Sequence, residues 1–161
     1  MNVPFRVGVG YDSHRFDAKR PLILGGVHVP GHAGLTGHSD GDAVAHAVID
    51  AILGAAALGN VGSLFPPSSD TWKDADSIEL LEASTLVLLE AGRDVVNVDI
   101  TVICETPKIG PHADAMRGRL GAAMKIPIER VSIKGKTNEG MGWIGAGEGL
   151  AVHAVALVES R

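Results

Sequence analysis

A single cysteine, Cys104, in a chain of 161 residues rules out an internal disulfide and points to a reducing compartment. Aromatic residues are nearly as scarce, with two Trp, one Tyr and three Phe, so the interior has to be built from Val, Ile, Leu and Ala. No apolar run approaches the ~18 residues of a membrane span, and no cluster of four or more Lys and Arg stands out. With 14 basic residues against 19 acidic ones and a formal charge of −5, binding to nucleic acid or to an anionic membrane is disfavoured. The stretch from Met1 to Val9 lacks the charged-then-apolar pattern of a secretory leader, and a cytoplasmic location is expected.

What the chain does have is aliphatic residues and glycine. It is 45% hydrophobic with 21 Gly and a mean hydropathy of +0.19, which excludes disorder. The length corresponds to one domain, 1–161, and the aliphatic surplus hints at surface buried against other subunits. Phe5 to Tyr11 reads as a strand interrupted by Gly8 and Gly10, and Leu22–Leu24 and Val27–Val29 around Gly25-Gly26 read as a hairpin. Asp40-Gly41-Asp42 suits the start of a helix from Ala43 to about Leu58, apolar on nearly every side and closed by Gly59. Asn60 to Ala75 reads as a long polar loop. A helix capped by Asp76 or Ser77 and running to about Ala91, a strand over 97–104, a helix over 111–124 and strands over 131–137 and 150–158 complete the order. This order predicts an α+β sandwich, one sheet with helices on one face.

Several groups could carry chemistry. Asp12 and His14 alternate to the same side of the first strand, where they form either a surface pair or a metal grip. His46 lies in the most apolar helix, one turn from Asp42 and from Asp50. It reads either as a hydrogen-bonded core histidine or as a ligand whose second ring nitrogen is fixed by a flanking carboxylate. One Asp and two His with an open position suit a catalytic zinc or another divalent ion. Near the C-terminus, Lys136, Thr137 and Glu139 precede a glycine-rich run from Gly140 to Gly149, which reads as a phosphate site or as a glycine-rich hairpin. The glycines follow the Lys-Thr pair, so it is not a P-loop. Cys104 sits in a strand with no neighbouring His, and no Gly-x-Ser-x-Gly elbow exists, so a covalent mechanism has no support. These features describe metal-assisted chemistry on a phosphorylated substrate.

The same residues, in this order, resemble the 2-C-methyl-D-erythritol 2,4-cyclodiphosphate synthase family over essentially the whole chain. The likeness rests on Gly-Tyr-Asp12-Ser-His14, on His38-Ser-Asp-Gly-Asp-x3-His46, on the Leu-Gly-x-x-Gly around Gly59 and Gly62, on Phe65-Pro66 and Pro107-Lys108, and on Lys136-Thr137-x-Glu139 followed by Gly-Glu-Gly. It implies a ferredoxin-like fold assembled as a homotrimer around a central channel, with active sites between subunits. The implied reaction converts 4-diphosphocytidyl-2-C-methyl-D-erythritol 2-phosphate to the cyclic diphosphate plus CMP. A zinc-dependent phosphohydrolase is the alternative.

By the same resemblance Asp12, His14 and His46 hold one zinc ion per site and Glu139 contacts a second divalent cation, magnesium or manganese, while the helical spacing sets Asp42 and Asp50 behind His46. His38 and Thr137 match catalytic positions. Substrate contacts are implied for Ser39, Asn60, Val61 and Gly62, and for Phe65, Pro66, Ser68 and Ser69 in the loop. They are implied equally for Cys104, Thr106, Pro107, Lys108, Ile109 and Gly110, and for Lys136, Asn138 and Trp143. The compartment implied is the bacterial cytoplasm, or the plastid stroma after removal of a transit peptide. The chain departs from its relatives at Asn60, where many have Asp for the ribose hydroxyls, at Pro67 and Ser69, where acidic residues are common, and at Ala146, where an Arg is common.

Overall fold

The computed structural model describes residues 4–161. In chain order its elements are β1 (Phe5–Leu24), β2 (Val27–Leu35), α1 (Ala43–Ala56), α2 (Val61–Leu64), α3 (Ser77–Glu90), β3 (Arg93–Ile103), α4 (Ala113–Met124), β4 (Val131–Lys136), α5 (Gly142–Gly145) and β5 (Gly149–Ser160). The five strands form one curled sheet in the order β2-β1-β5-β3-β4. β1 and β3 both pair antiparallel with β5, while β3 and β4 run parallel, joined by the crossover through α4 that a parallel pair requires. The sheet is mixed and the class α+β, as the element order predicts. Among the described residues no helix is long and apolar enough to cross a membrane.

α1, α3 and α4 cover one face of the sheet. Val95, Val98, Ile100 and Val102 of β3 and Val152, Ala154, Ala156 and Val158 of β5 are buried beneath them, the alternation expected of a sheet with one covered side. On the opposite face Val7, Val9, Tyr11 and Val155 stand between 43 and 65% exposed. α1 is buried nearly all round, from Ala43 to Ala55, because β1 and β5 lie beneath it and α3 lies alongside.

Two details differ from the expectations. β1 continues to Leu24, well past Tyr11, and its second half turns away from β5 to pair with β2. Pro21 sits where the β1–β2 register slips, so the missing N–H falls at an irregularity where no ladder bond is lost. The expected hairpin is the tip of this ladder, with Gly25 and Gly26 both at positive φ (57° and 71°), as a two-residue type I′ turn demands. α1 is closed by Ala57 in the left-handed conformation, two residues before Gly59.

The turn is tied to α1 by one carboxylate. Asp42 caps the helix, its Oδ1 accepting from Val44 and Ala45 amides at 3.0 Å each and from Gly25 at 2.9 Å, while Oδ2 accepts from Gly26 at 2.7 Å. Burial pushes this carboxyl up to about 6; the Ala45 amide pulls it back, and the charge of Asp40 adds to the rise. The group is therefore ionised at pH 7 and satisfied by four N–H donors. Asp42→Asn keeps one acceptor but turns an NH2 toward the partly buried Gly26 amide, leaving two donors face to face. The variant is expected to lose about 1–3 kcal/mol of stability at pH 7, measured by urea denaturation with an unchanged slope.

Candidate functional site

Asp12 and His14 point from β1 toward α1, and His46 points back from the first turns of that helix. One ligand atom from each of the three lies within 4.8 Å of the others. Asp12 Oδ2 is 2.8 Å from His14 Nε2 and 3.1 Å from His46 Nδ1, and the two imidazole rings stand 5.7 Å apart. All three side chains are half-buried, between 12 and 24% exposed. Burial raises the Asp12 carboxyl, but hydrogen bonds and charge from His14 and His46 outweigh that and hold it below the ordinary carboxylate range. The same contacts act in reverse on His46, where burial lowers the imidazole and Asp12 lifts it above its usual value. A carboxylate and two imidazoles sharing one focus form a donor set that fits a divalent metal.

The remaining polar atom of the His46 ring is engaged too. Its Nε2 lies 3.0 Å from Ser77 Oγ and 3.1 Å from Ser39 Oγ. The helical spacing places Asp42 and Asp50 a turn on either side of His46, yet neither carboxylate bonds to the ring. Asp42 is committed to the amides described above, and Asp50 accepts the Val61 amide at 2.7 Å, which ties α2 to α1. Burial raises the Asp50 carboxyl, against the pull of the Val61 bond.

A cavity of about 230 Å³ opens beside the triad, lined by Asp12, His14, His38, Ser39 and His46 and by Val61, Gly62, Phe65, Pro67 and Trp72 from the following loop. Phe65 and Trp72 meet edge to face at 5.0 Å. That loop contains α2 and a single 3-10 turn at 70–72. His38 Nε2 lies 3.1 Å from the Ser69 carbonyl, and Arg20 donates to the carbonyls of Gly37 and Ser39, pinning the segment on both sides of His38. Asn60 uses its side-chain oxygen to cap α2 through the Ser63 amide at 2.9 Å, leaving its NH2 outward. Pro66 is half-buried in this loop and Ser68 exposed.

The other expected contact residues gather elsewhere. Cys104, Pro107, Lys108, Ile109, Gly110, Lys136 and Thr137 line a second cavity of about 420 Å³, with the Thr106-Pro107 bond cis. Cys104 is buried, its thiol pushed up to about 11 by burial and by the charge of Glu105, which removes it as a nucleophile at neutral pH. Thr137 Oγ1 donates to Glu139 Oε1 at 3.0 Å, and Glu139 is held at φ 53°. Glu105, unremarked in the sequence, accepts the Asn138 and Gly140 amides at 2.9 and 3.2 Å and so shapes this turn. Trp143 belongs to a third cavity, about 470 Å³, with Ser13, His14, Arg15 and Glu148.

Asp12 pairs with Val152, Val152 with Val102, and Val102 with Gly135. The triad and the Lys136–Glu139 turn therefore stand at one level of the sheet, three strand spacings apart, roughly 14 Å. Among the described residues, none of these three cavities contains both groups.

A model of the YgbB family matches residues 5–159. The 2-C-methyl-D-erythritol 2,4-cyclodiphosphate synthase of Symbiobacterium thermophilum is 52% identical over 155 residues, covering 96% of this chain and 99% of that protein. The structure of the Plasmodium falciparum IspF CDP complex superposes with a TM-score of 0.85 at 32% identity, covering 98% of this chain and 97% of that one. The bifunctional IspDF of Campylobacter jejuni gives a TM-score of 0.94 at 38% identity over 98% of this chain, which spans only 42% of that longer protein.

Proposed function

The chain belongs to the YgbB family, and from that membership we propose how its own residues serve the reaction of its relatives. The activity is cyclodiphosphate synthesis, a lyase reaction (EC 4.6.1.12). 4-Diphosphocytidyl-2-C-methyl-D-erythritol 2-phosphate is converted to 2-C-methyl-D-erythritol 2,4-cyclodiphosphate and CMP. An oxygen of the 2-phosphate bonds to the β-phosphorus, the bridge from that phosphorus to the α-phosphate breaks, and CMP leaves with the electron pair. The nucleophile is already ionised at pH 7, so no general base is needed.

What the protein must supply is charge and position. Asp12, His14 and His46 would hold zinc and Glu139 a second divalent ion, magnesium or manganese, and these cations would offset the repulsion of phosphate meeting phosphate. Lys136 adds a fixed positive charge beside Glu139. His38 and Thr137 are assigned to the phosphoryl group in transfer, and the cavity from Cys104 to Gly110, with Lys108 at its rim, to the cytidine end. That one relative binds CDP supports the assignment.

Because the triad cavity and the nucleotide cavity lie apart within one chain, we assign the complete site to the junction of two subunits. The exposed apolar strip of Val7, Val9, Tyr11 and Val155 has the apolar character of a surface that a neighbouring subunit covers, and a homotrimer of ferredoxin-like subunits around a channel is the arrangement proposed. The family match over 5–159 supports reading 1–161 as one synthase domain. A cytoplasmic setting is proposed as well, supported by the single free, buried Cys104.

The convergence of Asp12, His14 and His46 in a chain matched over nearly its whole length carries this reading. Purified protein given substrate in oxygen-18 water should release CMP with no label in either product, and EDTA should abolish the release until zinc and magnesium are restored. Label in the released phosphates would instead identify a phosphohydrolase using water.

A further inference from the structure

Ser77 opens α3, 31 residues beyond His46, and is wholly buried. Its Oγ lies 3.0 Å from His46 Nε2 and donates its proton to Asp40 Oδ1. Asp40 is held for this purpose from three sides. Its Oδ1 also accepts the Asp42 amide at 3.1 Å, its Oδ2 accepts the Ser77 amide at 3.1 Å, and its own N–H is bound by the Ala75 carbonyl at 3.1 Å. A hydroxyl has a single proton; having given it to a carboxylate, Ser77 can offer His46 only a lone pair. Nε2 must then carry the hydrogen, and Nδ1, which faces Asp12 at 3.1 Å, is left as the bare nitrogen.

We propose that Ser77, oriented by Asp40, is the positioning residue that fixes the tautomer and rotation of the His46 ring so that Nδ1 is presented to the metal. The inference rests on the metal reading above. Ser39 Oγ, 3.1 Å from the same nitrogen, does not set the tautomer. Its proton is bound by no carboxylate, so it can accept or donate, and beside His46 it meets the Gly41 amide and Ser77 Oγ, each at 3.4 Å. The relay also explains two inter-loop bonds, Asp40 N–H to Ala75 and Asp74 N–H to His38, which lock the 38–42 segment to the start of α3 and keep Asp40 facing Ser77. A neutral oxygen between imidazole and carboxylate raises the basicity of the ligand less than a directly bonded carboxylate does. The arrangement orients the ring while leaving the metal a strong Lewis acid.

The test uses the full-length zinc-loaded protein with 15N-labelled histidine. In the wild type, the imidazole resonances of His46 should show a proton on Nε2 and metal on Nδ1; metal on Nε2 would overturn the proposal without any variant being made. Zinc affinity, read by competition with a chromophoric chelator, should fall 10- to 100-fold in Ser77→Ala and stay within about threefold in Ser77→Thr, which keeps the hydroxyl. Unchanged affinity in Ser77→Ala while the wild type holds zinc, or loss in Ser77→Thr equal to that in Ser77→Ala, would overturn the tautomer assignment alone. A wild type that binds no zinc would overturn the metal reading and this inference with it.

Discussion

Replacing His46 with alanine is expected to empty the metal position and lower kcat/KM by ~1,000-fold or more, roughly 4 kcal/mol of barrier, while the protein stays folded. His46 supplies one of three ligand atoms gathered within 4.8 Å. With it removed, Asp12 and His14 remain as neighbours two residues apart on one strand, a pair that many surfaces carry without binding anything. The cost to the fold is smaller. The ring is 12% exposed, its removal leaves Ser77 still bonded to Asp40, and α1 keeps its cap at Asp42 and its apolar faces. Metal analysis by mass spectrometry should find zinc near one equivalent in wild type and close to none in the variant, with circular dichroism unchanged. Zinc content equal to wild type would remove His46 from the ligand set. Turnover retained with no zinc would show that the reaction does not depend on this position.

The contrast between His46 and its sequence neighbours shows which parts of the site could be read in advance. His46 stands out because an imidazole in so apolar a helix needs a reason, and Asp12-x-His14 stands out because strand alternation puts both on one side. Asp42 and Asp50 fit the helical spacing of four equally well, but spacing places side chains on a face without saying what they bond. Asp42 sits at the end of α1, where unpaired amides and the turn at Gly25-Gly26 claim its oxygens. Asp50 is claimed by Val61. The residues behind His46, Ser77 and Asp40, are brought together by the docking of α3 on α1, and no local pattern announces a contact between positions 37 apart.

A similar division runs through the fold. The helices beginning at Ala43 and Ser77 and the strands centred on β3 and β5 follow from period and capping residues. The second half of β1 was hidden by its composition: Asp17 to Pro21 is polar and ends in proline, which reads as a loop. It is held in the sheet by pairing with β2, a tertiary fact. The short helices α2 and α5 have four residues each, too few for a period to register. The division of the expected contact residues between separate cavities was equally invisible, since sequence order says nothing about which strands and loops the sheet brings together.

Gly10→Ala is expected to be the most damaging single-methyl change in the chain. A Cβ at position 10 would stand 1.8 Å from the carbonyl oxygen of Ala47 and 2.7 Å from its carbon, and neither atom belongs to a side chain that could rotate away. Restoring ordinary contact requires β1 and α1 to separate by on the order of 1.5 Å. That movement opens the core between the Gly8–Gly10 pair and the Ala47–Ala51–Ala55 stripe. The cost should be about 3 kcal/mol or more, a fall of roughly 6–12 °C in Tm for a chain of this size. The same separation acts on the metal site, because Gly10 is two residues from Asp12 and Ala47 adjoins His46. A ligand set displaced by more than ~0.5 Å no longer holds its geometry, so zinc affinity should drop together with Tm. Gly8→Ala separates the two effects: its Cβ meets Ala51 O at 2.0 Å and Ala55 N at 2.5 Å, a full turn and more beyond His46. It should lower Tm comparably yet weaken zinc binding less. Thermal unfolding and chelator competition on both variants decide the matter. A Gly10→Ala protein with wild-type Tm and wild-type zinc affinity would mean that the close approach of β1 to α1 is not what positions the triad.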